Sequence, residues 1–295
     1  IYTLSLHDAL PISNVMDENL KKQLKIFACK ARIGAIDGIY CAKAGHPGGS
    51  LSICDLLSYL YNVEMNVDPK NPQDPKRDRL VLSKGHAAPA LYATLALKGY
   101  FPVEDLKTLR KSDSYLQGHP NMNKVPGVDM STGSLGQGIS CAVGMALGGK
   151  IDKENYRVYT ILGDGEIEEG QVWEAAMFAG NHHLDNLTAF VDYNGLQIDG
   201  TIDEVNSAYP IAEKFAAFKW NTIEIDGHDF DAIKKAVDDA KACKGMPTAV
   251  IMKTVKGKGV SYMENAVNWH GAAPNEELYN KAMDELKSAL AELEA

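Results

Sequence analysis

Residues 157–200 read RVYTILGDGEIEEGQVWEAAMFAGNHHLDNLTAFVDYNGLQIDG, and the reading of this stretch decides the fold. Val158 to Leu162 is a short, β-rich apolar run that ends in Gly163-Asp164-Gly165. Gln171 to Ala179 is helical in pattern, with Val172, Ala175, Ala176 and Ala179 at helical spacing. Leu187 to Val191 is a second apolar run, ending in Asp192-Tyr193-Asn194. Two strands joined by a helix make a parallel βαβ unit. In open α/β sheets, ligands sit beyond the carboxyl ends of the strands. Asp164 and Asn194 both occupy that position, so a carboxylate and an amide oxygen face one crevice. Hard oxygen donors of this kind suit Mg²⁺ or Ca²⁺ bound together with a phosphate.

The pattern extends in both directions. Residues 17 to 43 carry Leu20, Leu24, Phe27, Ala31 and Ala35 at three- and four-residue steps, which predicts a long helix. It stops at Gly45-His46-Pro47-Gly48-Gly49-Ser50, where Ser50 is placed to cap the next helix. Arg79 to Ser83 reads as a strand, followed by Lys84-Gly85-His86 and a helix through Ala90. Residues 100 to 130 hold few apolar positions and several turn signals, and loops of that length are usually functional or disordered. Ser131-Thr132-Gly133-Ser134-Leu135-Gly136-Gln137-Gly138 then feeds a helix from Ile139 to Leu147. That helix is apolar all round and is expected to be buried. Gly144 to Lys150 fits the spacing of a P-loop, but Ile151 replaces the required hydroxyl and the glycines close a helix instead of opening one, so that reading is rejected. Strands are predicted over 220–225 and 248–254, with a helix over 231–243 between them and a last helix capped by Asn275. The alternation implies one doubly wound, mostly parallel α/β sheet with helices on both faces, formed as a single domain over residues 14–295.

Composition narrows the function classes. A net charge of −9, with no basic run beyond Lys256-Gly257-Lys258, argues against a nucleic-acid surface. No apolar run is long enough to span a bilayer. The five cysteines are scattered without a CxxC pair and read as reduced residues of a cytoplasmic protein. Residues 1–13, IYTLSLHDALPIS, lack the basic and long apolar regions of a signal peptide, resemble translated adapter DNA and are set aside as a non-native or disordered extension.

Gly163-Asp164-Gly165, followed thirty residues later by Asn194, resembles the thiamine diphosphate signature. In that family the Asp, the Asn and a backbone carbonyl two residues on hold a divalent metal, here Asp164, Asn194 and Leu196, with Mg²⁺, Ca²⁺ or Mn²⁺ as the ion. Four loop histidines sharpen the resemblance. GHPGGS at 45–50, SKGH at 83–86, GHP at 118–120 and WHG at 269–271 are similar to the histidine loops of the transketolase family, and STGSLGQG at 131–138 to its TTGPLGQG segment, with Ser134 in place of Pro.

The resemblance, covering roughly residues 17 to 275, implies that His86, Gly133, Ser134, Leu135, Asp164, Gly165, Glu169, Asn194 and His270 line the cofactor. It implies that His46, His119 and His270 face sugar hydroxyls. Imidazoles suit ketol transfer, which moves protons on and off sugar oxygens near neutral pH. Glu169 and Glu174 match family acids that link two active sites across a dimer interface. Glu166 and Glu168 read as complements of a helix dipole, and His182, His183 and His228 as structural. The family also places a pyrimidine-binding domain, with a Glu needed to activate the cofactor, after this one, and the chain stops before it. The expectation is therefore the N-terminal subunit of a split transketolase of the pentose phosphate pathway. It would act on sugar phosphates in a heterotetramer with a separate C-terminal subunit, with self-association. Two other readings stay open: the α subunit of a 2-oxoacid dehydrogenase, and a non-catalytic cofactor-binding fragment. Oxoacid decarboxylation has no sugar hydroxyls for the four histidine loops to serve.

Overall fold

The computed structural model describes residues 15–295; the extension over residues 1–13 lies outside them. Five parallel strands form one sheet in the order β1-β2-β3-β5-β4. They are β1 (Arg79–Leu82), β2 (Val158–Gly163), β3 (Leu187–Tyr193), β4 (Asn221–Asp226) and β5 (Thr248–Lys253). Around them run α1 (Glu18–Ala42), α2 (Pro47–Leu51), α3 (Cys54–Tyr59), α4 (Ala88–Leu97) and α5 (Gln137–Ile151). The later helices are α6 (Gly170–Asn181), α7 (Ile202–Val205), α8 (Ile211–Ala217), α9 (Phe230–Ala242) and α10 (Glu276–Glu294).

Strand alternation splits the core into two layers, because successive side chains point to opposite faces. Leu80, Leu82, Tyr159, Ile161, Phe190, Val250 and Met252 pack with α1, α3, α4 and α9 on one face. Val81, Val158, Leu162, Ala189, Val191, Ala249 and Ile251 pack with α5, α6 and α8 on the other. Both faces are covered, so the strands read as continuous apolar runs and not as alternating ones. A third cluster of Ile36, Leu51, Val260, Met263, Met283 and Leu286 anchors α10 and the 255–270 loop against α1.

The predicted βαβ unit is present. β2 pairs with β3 in parallel from Val158↔Leu187 to Gly163↔Asp192, and α6 crosses between them. The Asp17 side chain caps α1 and Asn275 caps α10. Two expectations need correction. Ser50 does not cap a helix: Pro47 opens α2 at its first turn, where a missing N–H costs nothing, and Ser50 lies inside it with its hydroxyl donating to the His46 carbonyl. α5 is not buried all round. Gly138, Ile139, Ala142, Val143, Ala146 and Gly149 face the core, while Gln137 and Gly144 are exposed and Ser140, Cys141, Met145 and Gly148 are half-buried.

Candidate active site

The carboxyl ends of β1, β2, β3 and β5 deliver the site. Beyond β1 come Ser83, Lys84 and His86; beyond β2, Asp164 and Gly165; beyond β3, Asn194 and Leu196; beyond β5, Thr254 and Lys256. A cleft opens there, lined among others by Gly49, Leu135, Asp164, Asn194, Leu196 and His270.

One end of it is an oxygen-donor cluster. Asp164 is buried, its carboxylate accepting from the Gly195 N–H (2.6 Å) and the Gly165 N–H (2.9 Å). Burial and then the neighbouring Asp192 push its carboxyl up to about 7, a strain that a bound cation would relieve. The Asn194 amide nitrogen donates to Asp192 (3.1 Å), which turns its oxygen toward the Leu196 N–H (3.2 Å). The Leu196 carbonyl accepts from the Lys256 ammonium (3.1 Å). A carbonyl has two lone pairs, so this leaves it able to bind a cation as well. Among the described residues no three His, Cys, Asp or Glu side chains group as they would round a metal ion. The donors here are instead one carboxylate, one amide and one carbonyl, all hard oxygens.

Behind this cluster lies a buried ion pair that sequence reading missed. The Lys84 ammonium donates to Asp192 (2.5 Å) and to the Gly49 carbonyl (2.8 Å). Asp192 is fully buried at the end of β3 and also accepts from Ser52 (2.7 Å) and Thr254. Burial opposes its charge, but Lys84 and these hydroxyls outweigh burial and hold its carboxyl below the usual range. The signal was present in the sequence: a charge inside an apolar parallel strand must be paired. Lys256, also buried, reaches the Nδ1 of His270 (3.1 Å); burial brings its ammonium down to about 8. Two lysines therefore stand beside the donor cluster.

Of the four loop histidines, which arrive from four separate segments, His86 and His270 line the cavity, and His46 and then His119 pack beside them. Ring centroids lie 5.2 Å apart for His46 and His86, 5.6 Å for His46 and His270, 5.2 Å for His86 and His270, and 6.4 Å for His46 and His119. Burial, reinforced by Arg110, His119 and Lys256, brings the His46 imidazole down to about 4. Burial and then Lys256 bring His270 to about 3, and burial pushes His86 well down and His119 down. All four are neutral at pH 7. His46 Nδ1 is buried with no hydrogen-bond partner. A buried polar atom left unpaired is costly, and a ligand with polar groups would satisfy it.

The remaining candidates divide. Leu135 and Gly165 line the cavity, whereas Gly133 and Ser134 form the adjoining loop. Gly133 has φ +146°, and a Cβ there would come within 2.9 Å of the His119 ring, so the loop needs glycine. Glu169 and Glu174 do not line the cavity; both are exposed at the start and on the outer side of α6. Glu166 and Glu168 are corrected. Glu166 lies before α6, is buried, and accepts from Ser83 Oγ (2.5 Å), the Gly136 N–H (3.0 Å) and the Gly163 N–H (3.0 Å). It ties three loops together. Glu168 accepts from Gln197 (2.8 Å).

A buried acid and two lysines at one end, with four neutral imidazoles at the other, fit an anionic ligand carrying a metal and a polar reactive end. Residues 24–290 match the family described as transketolase, thiamine diphosphate binding domain. The chain belongs to the transketolase family. It is 53% identical over 243 residues to the 6-deoxy-6-sulfo-D-fructose transketolase subunit SqwG of Clostridium sp. (strain MSTE9), covering 82% of this chain and 88% of that one. It is 42% identical over 271 residues to an apulose-4-phosphate transketolase subunit of Phocaeicola vulgatus, covering 92% and 96%. The crystal structure of Campylobacter jejuni transketolase superposes with a TM-score of 0.85 at 32% identity, covering 94% of this chain and 46% of that one. This transketolase chain thus spans nearly the whole of two relatives named as subunits and under half of the Campylobacter enzyme.

Proposed function

We propose that the chain is the thiamine diphosphate-binding, N-terminal subunit of a two-chain transketolase. With a separate C-terminal subunit it would move a two-carbon ketol unit from a ketose phosphate to an aldose phosphate. The observation that carries this is the cluster of His46, His86, His119 and His270, of which His86 and His270 line one crevice with Asp164, Asn194 and Leu196. The two relatives named as subunits support the partner, and leave the 2-oxoacid dehydrogenase reading without support.

The residue roles follow from the chemistry. Asp164, Asn194 and the Leu196 carbonyl would hold Mg²⁺, with Ca²⁺ or Mn²⁺ as substitutes. Lys84 and Lys256 would offset diphosphate charge, and Leu135, Gly165, His86 and the 131–136 loop would seat the cofactor. Thiamine diphosphate supplies the carbon nucleophile and the electron sink when bound. His46, His119 and His270, held neutral, can accept hydrogen bonds from sugar hydroxyls, and acting as bases near neutral pH would require the bound anionic cofactor to raise the His46 and His270 imidazoles from about 4 and about 3. The exposed side of α6, where Met177 and Phe178 lie one turn from Glu174, together with exposed Gly144 of α5, supports self-association and hence a heterotetramer, with Glu169 and Glu174 between the two copies.

The test is to purify this chain with and without a C-terminal transketolase subunit from the same source. Transfer from xylulose 5-phosphate to ribose 5-phosphate is assayed with thiamine diphosphate and Mg²⁺, and a 6-sulfo-ketose is run in parallel because of the Clostridium relative. Activity only in the mixture is expected. Full activity of this chain alone, or turnover of a 2-oxoacid in place of sugars, would contradict the proposal.

A further inference from the structure

A chain of hydrogen bonds reaches the site from behind. It begins on α1, where Arg32 is buried and donates from both terminal nitrogens to the Asp55 carboxylate (3.2 and 2.5 Å) and from Nε to the Leu51 carbonyl (3.2 Å). Asp55, on α3, also meets Nδ1 of His228 at 2.7 Å. Burial opposes its charge, but Arg32 and then His228 hold the Asp55 carboxyl down to about 2, so it is a permanent acceptor. His228 follows β4. Its Nε2 accepts the backbone N–H of Val255 at 2.9 Å. Val255 precedes Lys256, whose ammonium meets the Leu196 carbonyl and His270. The next residue, Gly257, donates its N–H to Gly48 of the His46 loop at 3.0 Å.

We propose that His228 is a positioning residue: its Nε2 fixes the backbone register of the 254–257 loop and so aims Lys256 at the Leu196 carbonyl and His270. The contacts dictate its chemical state. Nε2 accepts an N–H and carries no proton, so Nδ1 carries it and donates to Asp55, as in the carboxylate–imidazole pairs that orient metal-binding histidines. Arg32 sets Asp55, Asp55 sets the tautomer, and the tautomer sets the acceptor. β5 ends at Lys253, and the Thr254 N–H still donates to the Tyr193 carbonyl of β3 (3.1 Å). Val255 is the first residue past the sheet, and its N–H goes to His228 instead.

Two variants separate the two bonds. His228→Gln places a carbonyl oxygen where Nε2 stands and keeps the acceptor for Val255. His228→Asn places an amide where Nδ1 stands, keeps the donor to Asp55 and loses Val255. Hydrogen exchange over residues 253–258 is expected to be unchanged in H228Q and about tenfold faster in H228N, the scale of one buried N–H left unpaired. Thiamine diphosphate affinity of the two-chain assembly with Mg²⁺, measured by calorimetry, is expected within about twofold of the parent for H228Q and about tenfold weaker for H228N.

Equal exchange in both variants, or parental exchange in H228N, would overturn the assignment. So would a lost exchange barrier with unchanged cofactor affinity, because Lys256 would then not depend on the loop. The affinity arm rests on the cofactor reading above and the exchange arm does not, so a parent protein that fails to bind the cofactor would sink that reading while exchange still decides this one. Should both variants unfold, the imidazole ¹⁵N shifts of the unmodified protein decide: an unprotonated Nε2 is expected, and a protonated one refutes the chain.

Discussion

Replacing Glu166 with Gln is the sharpest probe of how the cavity walls are held. The carboxylate is 2% exposed and accepts three hydrogen bonds, from Ser83 at the end of β1, Gly136 before α5 and Gly163 at the end of β2. No donor is needed there, so a Gln amide nitrogen must face one of those N–H or O–H groups. Leaving one buried donor unpaired costs about 1–3 kcal/mol, and the bonds lost were to a charged acceptor. Against this, the neutral amide relieves the burial that holds the Glu166 carboxyl above its usual range. The net expectation is a loss of about 2 kcal/mol. At roughly 2–4 °C per kcal/mol for a chain of this size, the midpoint should fall by about 4–8 °C. Glu166→Ala removes all three acceptors and leaves a void, for a loss of about 3–5 kcal/mol. Thermal unfolding followed by circular dichroism reads both variants. The weakened loops frame the cavity, so cofactor affinity should fall with stability. An E166Q midpoint within about 1 °C of the parent would refute the argument.

Other outcomes follow from the same geometry. Arg110→Gln removes a positive charge that, after burial, depresses His46, so the His46 imidazole should titrate above its present value of about 4 in NMR; an unchanged or lower value would contradict the geometry. Gly133→Ala should cost about 1–3 kcal/mol through its φ of +146° and displace His119, visible as a lower unfolding midpoint and a shifted His119 resonance. Gly144→Glu meets open space and should leave the fold intact while weakening self-association in sedimentation; an unaffected oligomer would remove the α5–α6 face as the contact.

Much of the fold was legible because it is written in period and punctuation. The Gly163-Asp164-Gly165 and Asp192-Tyr193-Asn194 endings marked β2 and β3, and four glycine-flanked histidines marked one crevice. What escaped reading was burial. Glu166 looks like a helix-dipole acid because it lies just before a helix, yet α6 starts only at Gly170 and three loop donors point inward at the carboxylate. Lys84 and Lys256 drew no role from the sequence, although both are buried; only Asp192, one charge in an apolar strand, betrayed that a buried cation was needed. α5 misled in the other direction, since composition cannot tell a helix buried by its own fold from one with an apolar side left exposed.

The most direct test of the central claim is cofactor binding itself. Thiamine diphosphate affinity of the two-chain assembly is measured by calorimetry with Mg²⁺ and with a chelator, for the parent and for Asp164→Ala. Mg²⁺-dependent binding is expected for the parent, and no binding that responds to Mg²⁺ is expected for D164A. Binding that is indifferent to metal, or that survives loss of Asp164 unchanged, would contradict that claim.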